Sequence, residues 1–183
     1  NAECYCVLNN NYASAAMMTE HLLKSTGDLF YHDSFYGESN PTAVDRHDGY
    51  AGTMRRHKLK PKYIPIKSPI RQDNELFAFE NMSQFFRNGG KCGGLFCVTD
   101  AVALGCASAA QHFGLTPGKD IFIGGHDDLR FGAYTNPSMT TMRQDIPGMC
   151  GKAFAMLEKL LRHQTPSKRC EILDAELIVR CSG

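Results

Sequence analysis

Short apolar runs alternate along the chain with longer stretches in which large apolar residues return every three or four positions. An unbroken apolar run or a period of two suits a strand, and a period near 3.6 suits a helix with one buried face. Strands are therefore expected at 4–8, 29–33, 63–67, 95–98 and 121–124. Between them, Ala15, Met18 and Leu22 share one helical face, as do Leu76, Phe79, Met82 and Phe86, and then Val102, Cys106, Ala109 and Phe113. Gly27, Gly89, Gly90 and Gly114 stand where these helices should stop. The alternation predicts an α/β fold with a mostly parallel sheet flanked by helices.

The rhythm changes after the fifth strand. The stretch 134–145 carries Asn136, Pro137 and several threonines and reads as an extended connector. A final helix starts at Ile146, with Pro147 in its first turn and Met149, Ala153, Met156, Leu157 and Leu160 as its apolar stripe. It should end within 165–168, and a last strand is expected at 172–179.

Composition narrows the class. The chain has 183 residues, 43% hydrophobic and 21% charged, enough for one substantial core. Its formal charge of +1 provides no overall field for a nucleic acid backbone, so any DNA contact must be made elsewhere. The eight cysteines lie among regular elements, which suits cytosolic thiols better than a disulfide framework. No apolar run of about 18 residues and no charged start followed by an apolar stretch is present, so a cytoplasmic chain without a membrane partner is expected.

In an open parallel sheet, ligands gather beyond the carboxyl ends of the strands. The loops there carry Asn9, Asn10 and Asn11, then Ser34 with Phe35, Ser68, Thr99 with Asp100, and His126, Asp127 and Asp128. Such short donors and acceptors match hydroxyl-rich ligands. Arg46 falls near the start of a helix over 46–57, and its planar fork can engage two oxygens at once. Plainer roles exist for each: Arg46 pairing with Asp45 or Glu38 at the surface, Asp127 capping a turn, Asp100 capping a helix, His126 in solvent. No GxSxG elbow, phosphate loop or GxGxxG turn occurs, and Cys4 with Cys6 lacks the second pair a zinc site needs. No enzyme, cofactor or metal is predicted.

One long stretch carries a resemblance. From Leu95, the order VTDAVALGCASAA, a Gly and Pro turn, KDIFIGGHDD, NPSMTT, Gln144 and a glycine-containing amphipathic helix resembles the effector domain of the lactose/galactose-repressor family of transcription regulators. The upstream DRHDGY and the closing LIVRCS resemble that family's arginine helix and final strand. The resemblance implies one lobe of a type I periplasmic-binding-protein-like fold, with 1–145 as the C-terminal lobe. It further implies that 146–168 is a crossover helix belonging to an N-terminal lobe and that 169–183 returns.

Residue by residue, it implies that Arg46 and Asp127 touch a small-molecule effector, a carbohydrate or a derivative, with Thr99 and Ile146 beside them. Thr99 replaces the usual Asn and Ile146 an aromatic ring, which departs from a plain hexose site. Ala101, Leu104, Ala107 and Ser108 are implied as the face of a homodimer, with operator DNA reached only through a region preceding this chain. The crossover helix should then pack on a second copy or fold back on its own lobe, and the chain alone should bind effector weakly. A periplasmic sugar-binding protein of a transport system is the alternative.

Overall fold

A computed structural model describes residues 4–33, 40–66 and 73–183. Four parallel strands form its central sheet: β2 (Leu29–His32), β3 (Lys62–Tyr63), β4 (Gly94–Cys97) and β5 (Phe122–Gly124), in the order β3-β2-β4-β5. β4 is buried at every residue, as its run of apolar side chains requires for a strand covered on both faces.

The covering helices are α1 (Asn11–Leu22), α2 (Pro41–Arg56), α3 (Asn74–Arg87) and α4 (Asp100–His112). Right-handed crossovers send α2 to one face and α3 and α4 to the other. Accordingly α1 packs on α2, and α3 on α4. Tyr31, Tyr50 and Phe96 meet in the core, Tyr31 stacking on Tyr50 at 5.3 Å and meeting Phe96 edge-on.

The predicted stripes hold in α1, where Ala15, Met18 and Leu22 are fully buried, and in most of α4, where Phe113 lies past the helix end and is partly exposed. In α3 Met82 is buried and Phe79 and Phe86 pack on the core as expected, but Leu76 is exposed and Phe77 and Ala78 are buried instead. Gly89 and Gly114 take the left-handed conformation expected past a helix end; Gly27 and Gly90 do not. α2 begins at Pro41 rather than Arg46, because Asn40 caps it and Pro41 suits its first turn. Of the expected strand 63–67, Tyr63 lies in β3 and Lys67 outside the described residues.

Two smaller layers flank this unit. β6 (Thr141–Arg143) lies within the predicted connector and pairs antiparallel with β8 (Glu176–Ile178). A bridge from Gly124 to Thr140 joins that ribbon to the edge of β5. β1 (Cys6–Asn9) pairs in parallel with β7 (Cys170–Leu173), so the single strand expected at 172–179 is in fact two strands in different sheets. The break falls at Asp174 and Ala175, where the Asp174 carboxylate accepts from Asn10 Nδ2 at 2.8 Å.

α5 (Ile146–Leu161) stops short of the expected 165–168 and lies against β1 and β7. One face of this helix thus finds its partner within the chain. Met156 is its buried residue, whereas Phe154 and Leu161 remain 70% and 72% exposed.

Candidate functional site

The carboxyl ends of β1, β4 and β5 converge with the second turn of α2. Arg46 shares the inward face of that helix with Ala43, Tyr50 and Thr53, so its guanidinium enters the molecule and is only 4% exposed. It donates from Nε to Asn11 Oδ1 at 3.0 Å, from Nη1 to the Val98 carbonyl at 2.7 Å and from Nη2 to Asp127 Oδ1 at 3.3 Å. A surface pairing with Asp45 is therefore not its role, and Glu38 lies outside the described residues.

Asp127 adopts a φ of 116°, a backbone conformation that side-chain-bearing residues rarely take. Its amide donates to the Met142 carbonyl at 2.9 Å, tying the loop to β6. Oδ1 also accepts from Gln144 Nε2 at 2.8 Å and lies 3.0 Å from His126 Nδ1. Burial pushes the Asp127 carboxyl up, but the hydrogen bond from His126 and the charge of Arg46 outweigh it and hold the pKa below the usual carboxylate value. The guanidinium stays charged despite its own burial, since its pKa starts far above neutrality.

His126 is not a solvated histidine. It is fully buried, and burial lowers its pKa, so the ring is neutral at pH 7. Its Nε2 lies 2.9 Å from Ser14 Oγ. The neutral ring fits these neighbours when Nδ1–H donates to Asp127 and Nε2 accepts from Ser14. The histidine thereby orients the carboxylate from behind.

Thr99 caps α4, its hydroxyl accepting from the Val102 amide at 3.3 Å. Asp100, expected as a cap, sits one residue inside the helix and is fully buried. Its two oxygens accept from the Leu129 amide at 2.8 Å and the Thr141 hydroxyl at 2.6 Å, clamping the 126–129 loop to β6. Asp128 pairs with Arg143 and Arg180. Ile146 opens α5, 53% exposed, two residues from Gln144. Ala101, Leu104, Ala107 and Ser108 are half-exposed along α4. Ser34, Phe35 and Ser68 lie outside the described residues.

The structure thus brings Arg46 and Asp127 together, with Asn11, His126 and Gln144 around them. Asn11 and His126 were named only as rim residues and Gln144 only as part of a motif. The buried Asn9 Oδ1 has no partner among the described residues, an acceptor left at the same rim. Alongside, Tyr31, Val44, His47, Tyr63, Ile64 and Ile66 line a hollow of about 510 Å³, in which His47 stacks on Tyr63 at 5.1 Å. That volume lies within the range usual for small-molecule sites.

Residues 34–182 match the periplasmic binding protein-like domain family. The chain is similar to the transcriptional regulator MalR of Clostridium butyricum, 33% identical over 93% of this chain and 49% of that protein. It is also similar to the repressor PurR of Actinobacillus pleuropneumoniae, 24% identical over 96% of this chain and 52% of that protein. The chain thus spans about half the length of these curated relatives. A LacI family transcriptional regulator from Enterococcus faecium, solved with bound ribose, superposes on all of the chain and 66% of its own length at a TM-score of 0.84 and 16% identity. A CelR–cellobiose complex covers 99% of the chain and 54% of its own length at the same TM-score and identity. At such identities the superpositions show the fold.

Proposed function

The chain belongs to the periplasmic binding protein-like domain family, in the form carried by LacI-family transcriptional regulators, and from that premise we propose that it grips a sugar or sugar-like effector. Its relatives are regulators rather than enzymes or transport proteins. The observation that carries the reading is the Arg46–Asp127 pair at the carboxyl edge of the sheet, its arginine buried and its carboxylate half-buried.

A sugar hydroxyl both donates and accepts, so a vicinal pair needs fixed donors and fixed acceptors side by side. Arg46 supplies the first and Asp127 the second. Among the described residues, the side-chain contacts of Asp127 fall on Oδ1, which leaves Oδ2 for an incoming hydroxyl. In this reading Thr99, at the start of α4, and Ile146, two residues past Gln144, would complete the grip, and the hollow lined by Val44 and His47 of α2 would take the rest of the ligand. Bound effector would favour one arrangement of the regulator's parts and so change how a dimer presents its DNA-reading segments to an operator. Ribose and cellobiose, the sugars held by the two structural neighbours, are the first candidates.

Calorimetry with ribose, maltose, cellobiose and a nucleobase tests the reading. At least one sugar is expected to bind, with Arg46→Lys and Asp127→Asn each weakening it about tenfold or more, since the first removes the forked donor and the second the charged acceptor. Undiminished sugar binding by both variants, or binding of the nucleobase alone, would overturn it.

A further inference from the structure

β1 and β7 lie parallel, and their first rung sets Cys6 directly against Cys170. Residues paired across a parallel ladder project to the same face, with their strands about 4.7–4.9 Å apart. That spacing falls inside the Cα separation of about 4.4–6.8 Å over which disulfides form. Cys170 is also the largest influence on the Cys6 thiol, as expected for facing side chains. Cys170 is exposed and Cys6 half-buried, so small solutes reach both. A second pair of neighbouring thiols, Cys97 with Cys106, is sealed in the core between β4 and α4. The rung lies at the start of both strands, where a small tilt to close the bond leaves the later rungs in place.

We propose that Cys6 and Cys170 are a reversible disulfide-forming pair that responds to low-molecular-weight disulfides. The thiolate of one cysteine attacks a sulfur of the reagent, breaking its S–S bond and releasing one small thiol. The second cysteine, as thiolate, then attacks the protein sulfur of that mixed disulfide and displaces the other small thiol. One protein S–S bond replaces two S–H bonds. The reagent takes up two electrons and two protons. The neighbouring Cys170 thiol, followed by burial, raises the Cys6 thiol's pKa, so the exchange accelerates as the solution is made alkaline.

The bond would reach the site described above. β1 runs on into Asn9–Asn11, and the Asn10 amide donates to the Leu173 carbonyl of β7 at 2.7 Å. Asn11 in turn accepts from Arg46. Oxidation therefore fixes together the two strands that carry this corner of the rim.

The test is to incubate the chain with oxidised glutathione at about pH 8 and map the linked peptides under non-reducing conditions. A Cys6–Cys170 link is expected before any change at Cys97 or Cys106. It should persist in Cys4→Ser, vanish in Cys6→Ser and reopen with dithiothreitol. Glutathione retained on Cys6 or Cys170 without the link, or a link from Cys170 to Cys4 or Cys150 instead, would overturn the proposal.

Discussion

Asp100 shows what a single buried carboxylate costs here. Burial is the largest influence on it and outweighs the hydrogen bonds from Thr141 and Leu129, raising its pKa from 3.8 to about 6. A carboxyl whose folded pKa is raised stabilises the fold most below its unfolded value, and that contribution is lost as pH rises through about 6. Between pH 7 and pH 5 it should add about 1 kcal/mol of stability. His32 acts in the opposite sense. Burial lowers its pKa to about 4, so its contribution is present above its ordinary 6.5 and is lost as pH falls toward 4. Urea unfolding of wild type and Asp100→Asn at both pH values isolates the first effect. The wild type should gain about 1 kcal/mol more than the variant on acidification, because the asparagine cannot titrate. Equal gains would mean that Asp100 is already ionised throughout that window.

At the scale of elements, two helix pairs meet through glycines. A Cβ on Gly49 of α2 would collide with the Tyr12 carbonyl and Ala15 of α1, and one on Gly105 of α4 with the Glu75 carbonyl and Ala78 of α3. Gly151 of α5 has nothing within 4 Å. Alanine is therefore expected to cost about 1–2 kcal/mol at Gly49 and Gly105, where overpacking exceeds the gain in helix propensity. At Gly151 it should add about 0.5–1 kcal/mol. Thermal or urea unfolding of the three variants decides the sign at each.

The same contacts explain what could be read from the sequence. β2, β4 and β5 were visible as apolar runs, and α1 and α4 as stripes, because a covered strand and a core-facing helix leave those periods in the chain. In α3 the stripe holds at Phe79, Met82 and Phe86 and fails at Leu76, since Gly105 admits Ala78 and Phe77 is the residue buried in that first turn. β6 fell in the expected connector, and β3 and β8 are shorter than the strands expected at 63–67 and 172–179, because pieces of two or three residues are bounded by pairing rather than by local pattern. Of the site, Arg46 and Asp127 came from family likeness. Ser14 and His126 touch across 112 residues and leave no local trace, so the support behind the carboxylate emerged only with the fold.

Across the whole molecule, stability should be uneven. The four-stranded sheet is covered on both faces and holds the large buried side chains Tyr31, Leu95, Phe96 and Ile123. The layer of β1, β7 and α5 is a two-stranded pair under a helix whose Phe154, Leu157 and Leu161 stay exposed. A two-stranded pair is marginal by itself. The ion pairs from Lys152 and Lys168 to Glu171 are at or near the surface and add about 0–1 kcal/mol each. Native-state hydrogen exchange should therefore find α5 and β7 opening well before β4, in at least two steps of unequal free energy. Because β1 leads directly into Asn11, the opening of this layer would also loosen one of the acceptors that hold Arg46. Ligand bound at the Arg46 corner should consequently slow exchange in β1 and β7, and not only in the loops it touches. Protection of α5 equal to that of β4 would mean instead that the two layers unfold as one cooperative unit.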